Sequence, residues 1–279
     1  MDVLRWTTQR FTERGLDSPR LDAELLAAHA FGMTRLHLYT QFDRPLLAEE
    51  LAALRALVKR RQAGEPVAYL TGHKEFWSLD LHVDARVLIP RPDTETLVEL
   101  ALEVIAVDLD AQVADIGTGS GAIALAIAKQ RPRAQVTATD LSNEALLVAR
   151  ANADRLGLNL TFESGDLLSA LAPNARFHLI VANLPYIPSA DIPGLAPEVR
   201  SEPMRALDGG PDGLDLVRRL IASAPAHLHP GGVLALEIGA GQADDTVALM
   251  AAGGFVAPQR RSDLGGIERV IWTRTGGNT

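Results

Sequence analysis

Cysteine is absent from this chain of 279 residues. Its absence excludes disulfides, zinc–thiolate centres, iron–sulfur clusters and cysteine nucleophiles. The seven histidines do not cluster at the spacing of metal ligands, so no metal site is expected. Aromatic residues make up only 5% of the chain, which means that aliphatic side chains must supply most of the core.

Long hydrophobic runs are missing as well. The longest apolar stretch, at residues 122–128, is far shorter than the about 20 residues that a helix needs to cross a bilayer. Residues 1–6 are interrupted by charged side chains and contain no apolar signal core. These absences predict a cytoplasmic protein that does not associate with membranes.

Basic residues are outnumbered, with 27 Lys and Arg against 35 Asp and Glu, which gives a formal net charge of −8. An acidic surface repels phosphate backbones, so direct binding to nucleic acid is not expected. The densest basic cluster is Lys59, Arg60 and Arg61, at the end of a predicted helix. We interpret it as a solvated face whose charge suits the C-terminus of that helix.

Three regions follow one another along the chain. We predict a small helical bundle at residues 1–72 and a hairpin or extended linker at residues 73–92. Residues 93–279 are predicted to form the main domain. Apolar residues recur at helical spacing in two segments of the first region. They are Leu21, Leu25 and Ala28, then Leu47, Leu51, Leu54 and Val58.

From residue 93 onward, strand and helix patterns alternate. Strands are predicted at residues 112–116, 135–139, 159–163, 178–182, 233–238 and 269–273. Helices are predicted at residues 94–107, 120–130, 143–156, 213–228 and 241–253. This alternation predicts an α/β fold with a mostly parallel, doubly wound, Rossmann-like sheet. Such a sheet binds its ligand at the carboxyl ends of the strands.

A glycine-rich turn joins the first of these strands to the helix after it. It contains Asp115, Gly117, Thr118, Gly119, Ser120 and Gly121. Glycines let a ligand lie against bare backbone, and the helix N-terminus presents free N–H groups. The spacing is G-x-G-x-G, whereas a dinucleotide fold needs G-x-G-x-x-G. The carboxylate before the first glycine suits a ligand with a cationic amino group, such as S-adenosylmethionine.

Two further carboxylates follow the next predicted strands. Asp140 ends the second strand, where its side chain can accept both hydroxyls of a ribose. Asp166 and Leu167 follow the third strand, where they can bind an adenine amino group and cover its ring. The alternative for Asp166 is a structural helix N-cap.

The fourth strand runs directly into Asn183, Leu184, Pro185 and Tyr186. Asn-x-Pro-aromatic after a parallel strand resembles the motif of methyltransferases that act on planar nitrogen. The Asn183 side-chain oxygen and the carbonyl of residue 184 can accept the two N–H groups of an amide, which favours charge developing on its nitrogen. Tyr186 can stack on the planar group, and Pro185 stiffens the loop. The alternative is an ordinary turn, because Asn and Pro are common turn formers.

A second segment is more specific. The residues GHKEFW at 72–77 and VLIPRPDTE at 87–95 are similar to the linker and the IPRP-x-TE element of the HemK/PrmC family of glutamine methyltransferases. The resemblance covers essentially the whole chain. It implies a class I S-adenosylmethionine-dependent methyltransferase domain, preceded by a helical domain of about 70 residues that recognises the substrate. A monomer is expected.

The resemblance also implies a reaction, which is methylation of the glutamine in the Gly-Gly-Gln loop of class 1 peptide release factors at its side-chain amide nitrogen. Cofactor contacts would come from residues 117–121, Asp140 and Asn183, and residues 183–186 would hold the glutamine. At Leu184 the family usually has proline, and at Leu167 relatives often have a bulkier aromatic residue.

Other functions stay open at this point. Asn-Leu-Pro followed by Tyr or Phe also occurs in ribosomal RNA adenine dimethylases, which lack the IPRP-x-TE element. The alternatives are therefore a glutamine methyltransferase of a ribosomal protein and an RNA or DNA exocyclic-amine methyltransferase. A module that binds the cofactor without catalysis is a further one, although it would have no need of the paired acceptors in residues 183–186.

Overall fold

Residues 2–276 are described by a computed structural model, and the chain divides into two structural units. Of the described residues, one unit comprises 2–73 together with 196–201, and the other comprises 74–195 together with 202–276. No helix within residues 2–276 is long and apolar enough to cross a membrane.

The helices and strands occupy the following positions. The α-helices are α1 (Asp2–Glu13), α2 (Pro19–Ala30), α3 (Arg35–Thr40), α4 (Ala48–Gln62), α5 (Val67–Thr71), α6 (Glu95–Val104), α7 (Ala122–Gln130), α8 (Asn143–Leu156), α9 (Pro197–Arg200), α10 (Asp215–Ser223) and α11 (Ala243–Ala252). The strands are β1 (His73–Phe76), β2 (Leu79–His82), β3 (Gln112–Ile116), β4 (Gln135–Asp140), β5 (Thr161–Ser164), β6 (Phe177–Asn183), β7 (Leu228–Glu237), β8 (Val256–Ser262) and β9 (Glu268–Arg274).

The N-terminal unit is helical, as the spacing of its apolar residues predicts. Its core includes Phe11, Leu26 and Leu54, all of which are buried. The predicted apolar face of α2 is partly wrong, because Leu21 is 41% exposed. The buried face of this helix lies one residue further along and contains the carboxylate of Asp22.

That face includes one half of a buried ion pair. Arg61 is only 4% exposed, and its guanidinium lies 2.8 Å from Asp22 and 2.6 Å from Glu198 of α9. Burial raises the pKa of Asp22, and the hydrogen bond from Arg61 opposes that shift. The interpretation of residues 59–61 as a solvated face is therefore wrong for Arg61. A charge whose partners come from α2 and α9 cannot be recognised from its neighbours in sequence.

The second unit is built on a seven-stranded sheet with the order β5-β4-β3-β6-β7-β9-β8. The first five strands of this order are parallel. At one edge, β9 pairs antiparallel with β7, and β8 pairs antiparallel with β9, so only β9 runs opposite to the other strands. The predicted mostly parallel, doubly wound α/β architecture is confirmed. From β3 the chain adds β4 and β5 on one side of the sheet, and it then returns to add β6 and β7 on the other side. Such sheets bind ligands at the point between these two halves, here between β3 and β6.

Strand β8 has no counterpart among the predicted strands. Its side chains are mostly exposed or half-buried, because it pairs only with β9 and forms the edge of the sheet. An edge strand lacks the apolar run of a buried parallel strand. The predicted helix at residues 213–228 is also shorter than expected. It ends at Ser223, and a 3₁₀ turn over Ala224–His227 follows, since Pro225 cannot supply a helical N–H.

Strands β1 and β2 form the predicted hairpin. The two residues that join them, Trp77 and Ser78, have φ angles of 50° and 56°. Positive φ at both central positions is the geometry of a type I′ turn, which suits the twist of a hairpin. The Trp77 N–H donates to Glu95 at the start of α6 (3.0 Å), so this turn is anchored to the main domain.

Candidate functional site

Pairing between β3 and β6 brings the two loops of interest side by side. Ile116 pairs with Ala182, so the next residues along each strand, Gly117 and Asn183, enter the same edge of the sheet. A cleft with about 1090 Å³ of empty space, including its open mouth, lies at this edge. Both loops line it, together with residues from the ends of β4 and β5.

Backbone hydrogen bonds hold the glycine-rich loop against the end of β4. The N–H groups of Gly117 and Thr118 both donate to the carbonyl of Thr139, each at 2.9 Å. Gly119 has a φ angle of 55°, and a Cβ on this residue would meet no atom within 4 Å. The space in front of its backbone is therefore open, as a ligand that lies against the loop would require.

Asp115 does not line this cleft. It is fully buried beneath the loop, where one carboxylate oxygen accepts the Thr118 hydroxyl (2.7 Å) and the N–H of Ala124 (3.2 Å). Burial raises its pKa to about 7, and its other oxygen has no hydrogen-bond partner within the protein. In this structure Asp115 supports the loop through these two hydrogen bonds. Its predicted contact with a cationic amino group of the ligand stays a prediction.

Asp140 lies where the sequence predicts, at the end of β4 and in the wall of the cleft. One of its oxygens accepts the N–H of Gly119 (2.9 Å), and the other accepts the N–H of Ser142 (2.8 Å). Burial raises the pKa of this carboxyl, and these backbone donors oppose the shift. Each carboxylate oxygen can accept a further hydrogen bond, so two hydroxyls of a ligand can still be bound.

Asp166 and Leu167 also lie in the cleft wall. The carboxylate of Asp166 forms an ion pair with Arg219 of α10. Leu167 has a φ angle of 51° and packs against the buried core below the cleft. Asp166 therefore already has a charged partner on the protein, and the predicted contact of these two residues with adenine stays a prediction.

The loop after β6 gives the cleft three of its four predicted residues, namely Asn183, Leu184 and Pro185. Asn183 is half-buried, and its side-chain N–H donates to the Thr94 hydroxyl at 3.1 Å. Leu184 is buried against the glycine-rich loop, where a Cβ on Gly117 would lie 3.1 Å from its Cδ2.

Tyr186 is the exception, because it does not line the cleft. Its carbonyl accepts an N–H from Gln242 (2.9 Å), and burial raises the pKa of its phenol. A Cβ on Gly239 would lie 3.1 Å from its ring. The structure therefore places Tyr186 against the loop after β7 and away from the cleft formed by the glycines.

Several residues of the site were not singled out from the sequence. Gly209 is one of them, since a Cβ there would lie 2.6 Å from the carbonyl of Pro185. Its N–H donates to the carbonyl of Ile187 (2.9 Å), and the N–H of Ile187 donates to Leu207 (3.0 Å). The loop after β6 is thus fixed by a second loop. The only signal in sequence was the density of glycine at residues 209–213.

The IPRP-x-TE element contributes two further contacts. Glu202, which is buried, accepts the N–H of Ile89 (3.0 Å) and forms an ion pair with Arg91 in the cleft wall. Thr94 forms the hydrogen bond to Asn183 already described. The element therefore contacts both the loop after β6 and the segment that follows it.

Glu237 was also not singled out. It ends β7, pairs with Asn183 across the sheet and is only 2% exposed. Burial raises its pKa to about 7, and one of its oxygens has no hydrogen-bond partner within the protein. A glutamate at the end of an apolar strand was the available signal. Within residues 2–276, no group of three or more His, Cys, Asp or Glu side chains is arranged to hold a metal ion.

Comparisons with protein families and with individual relatives point to the same family of methyltransferases. A family model described as the PrmC N-terminal domain matches residues 2–72, and one described as a methyltransferase domain matches residues 113–202. A release factor glutamine methyltransferase of Geobacter sulfurreducens is 47% identical over 275 residues, which cover 98% of this chain and 96% of that protein. One of Rhodospirillum rubrum is 46% identical over 268 residues, covering 95% of this chain and 82% of that protein.

A solved structure gives the same fold. The crystal structure of a methyltransferase from Pyrococcus furiosus has a TM-score of 0.55 and 19% sequence identity, and covers 80% of this chain and 98% of its own. At this level of identity, the likeness concerns the fold alone.

Proposed function

Because this chain belongs to the release factor glutamine methyltransferase family, we propose that it methylates the glutamine of the Gly-Gly-Gln motif in class 1 peptide release factors at its side-chain amide nitrogen. The observation that carries this proposal is the 47% identity to such an enzyme over 98% of the chain. The methyl donor is S-adenosylmethionine, and the enzyme acts as a cytoplasmic monomer without direct contact to nucleic acid.

The cleft supports this choice of cofactor. Gly117 and Gly119 expose backbone at its floor, and Gly119 has open space where a side chain would otherwise stand. Asp140 offers carboxylate oxygens for the two ribose hydroxyls. Asp166 and Leu167 also line the cleft. We assign the adenine to these two residues, with Leu167 covering the ring by an aliphatic contact.

When bound, S-adenosylmethionine supplies an electrophilic methyl group on its sulfonium. The residues of this chain prepare the other reactant, an amide nitrogen whose lone pair is delocalised. The Asn183 side-chain oxygen and the carbonyl of Leu184 accept the two N–H groups of the substrate amide, which favours positive charge on its nitrogen. Pro185 stiffens the loop, and Gly209 packs against the carbonyl of Pro185. Both features keep these acceptors in place.

Tyr186 has a different position from the other three residues, and we assign it to the protein substrate. Tyr186 directly follows Pro185 of the cleft wall, so its ring can stack on the planar amide as the glutamine enters. The N-terminal helical domain, residues 1–72, recognises the rest of the release factor. No base is needed before methyl transfer, since the nitrogen becomes acidic only after it gains the methyl group.

The test is a substrate competition. The full-length protein with methyl-labelled S-adenosylmethionine is offered unmodified class 1 release factor, ribosomes or RNA. We expect label only in the release factor, on a Gly-Gly-Gln peptide identified by mass spectrometry. A release factor with that glutamine replaced by alanine is the matched control and should remain unlabelled. Label confined to a ribosomal protein or to RNA, or label in none of the three, would reject the proposal.

A further inference from the structure

Three polar side chains from distant parts of the chain meet below the loop after β6. Thr94 precedes α6, Asn183 ends β6 and Glu237 ends β7. The Asn183 side-chain N–H donates to the Thr94 hydroxyl (3.1 Å), and Glu237 lies beside Asn183 in the parallel pairing of β6 with β7. Nothing in the proposed reaction so far uses Thr94 or Glu237.

We propose that Glu237, together with Thr94, is a positioning residue that fixes the carboxamide of Asn183 with its nitrogen turned inward and its oxygen turned toward the substrate. This inference rests on the proposed function, since that oxygen is the one that accepts the substrate amide N–H.

The argument begins with what each group can do. A carboxylate only accepts hydrogen bonds, and the nitrogen of an Asn carboxamide only donates them. A hydroxyl does both, so Thr94 can accept from Asn183 and donate to Glu237. A carboxamide beside an ionised Glu237 therefore turns its nitrogen toward the carboxylate. Thr94 and Asn183 both stabilise the charged form of Glu237, against the opposing effect of burial.

Burial separates Glu237 from direct catalysis. Its side chain is 2% exposed and does not line the cleft, so it cannot touch the substrate and must act through Asn183. The cation that acts on the charge of Glu237 is Arg269, and it forms ion pairs with Asp93 (2.9 Å) and Asp263 (3.0 Å). A buried carboxyl group without an ion-pair partner costs stability. Its presence next to Asn183 is therefore better explained by the reaction than by the fold.

The ionisation of Glu237 makes the inference measurable. The groups that act on its pKa are Thr94, Asn183, Arg269 and Asp93. The charge of Glu237 in turn raises the pKa of the Tyr186 phenol. The Glu237 pKa of about 7 is raised chiefly by burial. A protonated Glu237 can donate a hydrogen bond and so tolerates the reversed carboxamide. We expect kcat to rise with pH through about 7 as the carboxylate forms.

The experiment uses the full-length protein, labelled S-adenosylmethionine and unmodified release factor. Glu237→Gln keeps the shape of the side chain but adds donor capacity. We expect kcat to fall by about tenfold. This loss is smaller than the about 10²–10³ that removal of a direct contact to the reacting group causes. Cofactor affinity measured by calorimetry should change less than about twofold, and the rise of kcat near pH 7 should disappear. Glu99→Gln, a surface change on α6 that only loosens an ion pair with Arg261, should behave like the wild type.

A double-mutant cycle distinguishes positioning from general support of the fold. If Glu237 acts through Asn183, Glu237→Gln should cause no further loss of kcat in a protein that already has Asn183→Ala. Thr94→Val is the second variant, and it should lower kcat with the same unchanged cofactor affinity. An unaltered kcat in Glu237→Gln, or losses that add in the double variant, would overturn the inference while leaving the proposed function intact. If the wild-type protein leaves the release factor unlabelled, the proposed function itself fails, and the inference fails with it.

Discussion

Leu184 packs against the bare backbone of Gly117, so that a Cβ on the glycine would lie 3.1 Å from the Cδ2 of the leucine. The glycine-rich loop and the loop after β6 are therefore in direct contact. The side chain of Leu184 is buried and joins the two loops by packing.

This contact makes Gly117 sensitive to substitution. Gly117→Ala adds a methyl group at a φ angle of 76° and presses it against Leu184, so we expect cofactor affinity to fall about tenfold and unfolding to require about 1–3 kcal/mol less. Gly157→Ala is the matched control, since its φ angle is 66° but the space around it is open. It should lose only about 1 kcal/mol and bind the cofactor normally. Calorimetry and urea unfolding measure both effects, and equal cofactor affinity in the two variants would contradict this prediction.

Asn183→Ala should abolish most of the chemistry while most of the cofactor affinity remains. The change removes one of the two proposed acceptors for the substrate amide but leaves the glycine-rich loop and Asp140 unaltered. We expect kcat to fall by about 10²–10³, in line with loss of one preorganised group at a reacting centre. Single-turnover rates with a release factor test this, and a turnover number equal to that of the wild type would remove Asn183 from the reaction.

Asp140→Ala should mainly weaken cofactor binding. The change removes the proposed acceptor for the ribose hydroxyls and also the partner of the Gly119 N–H, so the loop loses a support as well. We expect affinity to fall by about tenfold to a hundredfold, equivalent to about 1.4–2.7 kcal/mol. Asp154→Ala, at an exposed position of α8, is the control. Unchanged affinity by calorimetry would show that Asp140 does not contact the ribose.

The two neighbouring arginines of α4 should differ strongly in their contribution to stability. Arg61→Met leaves the buried carboxylate of Asp22 without its partner, which we expect to cost about 3–5 kcal/mol. Arg60→Met breaks an ion pair with Glu65 in which both side chains are partly exposed, and should cost at most about 1 kcal/mol. Chemical denaturation of both variants checks the difference. Similar midpoints would mean that the buried pair contributes little.

Stability should depend on pH through two buried carboxyl groups. Asp115 and Glu237 have pKa values of about 7, above their ordinary values of 3.8 and 4.5, so the folded state holds their protons more tightly than the unfolded chain does. Their contribution to the free energy of unfolding is complete below about pH 4 and is lost as pH rises through about 7. Asp115→Asn removes one of them. Urea unfolding at pH 5.5 and pH 8 should therefore show a smaller loss of stability in the variant than in the wild type, and identical losses would show that Asp115 titrates normally.

Local patterns determined much of this protein without its structure. The strand at residues 112–116 and the helix at residues 143–156 were predicted with the bounds that the structure has, because their apolar periodicity is complete within one element. The resemblance carried by residues 72–77 and 87–95 is confirmed by the comparisons. Sequence motifs also indicated Asp140 and Asn183, which line the same cleft.

Tertiary structure decided what depends on residues far apart in the chain. Asn183 lies beside the glycine-rich loop only because β6 pairs with β3, and Thr94 and Glu237 meet Asn183 only through α6 and β7. Local periodicity could not show that Arg61 is buried or that Asp115 lies beneath its loop, since both depend on long-range packing. A sequence pattern specifies which residue types an element presents, whereas the order of strands in the sheet specifies which of them come into contact.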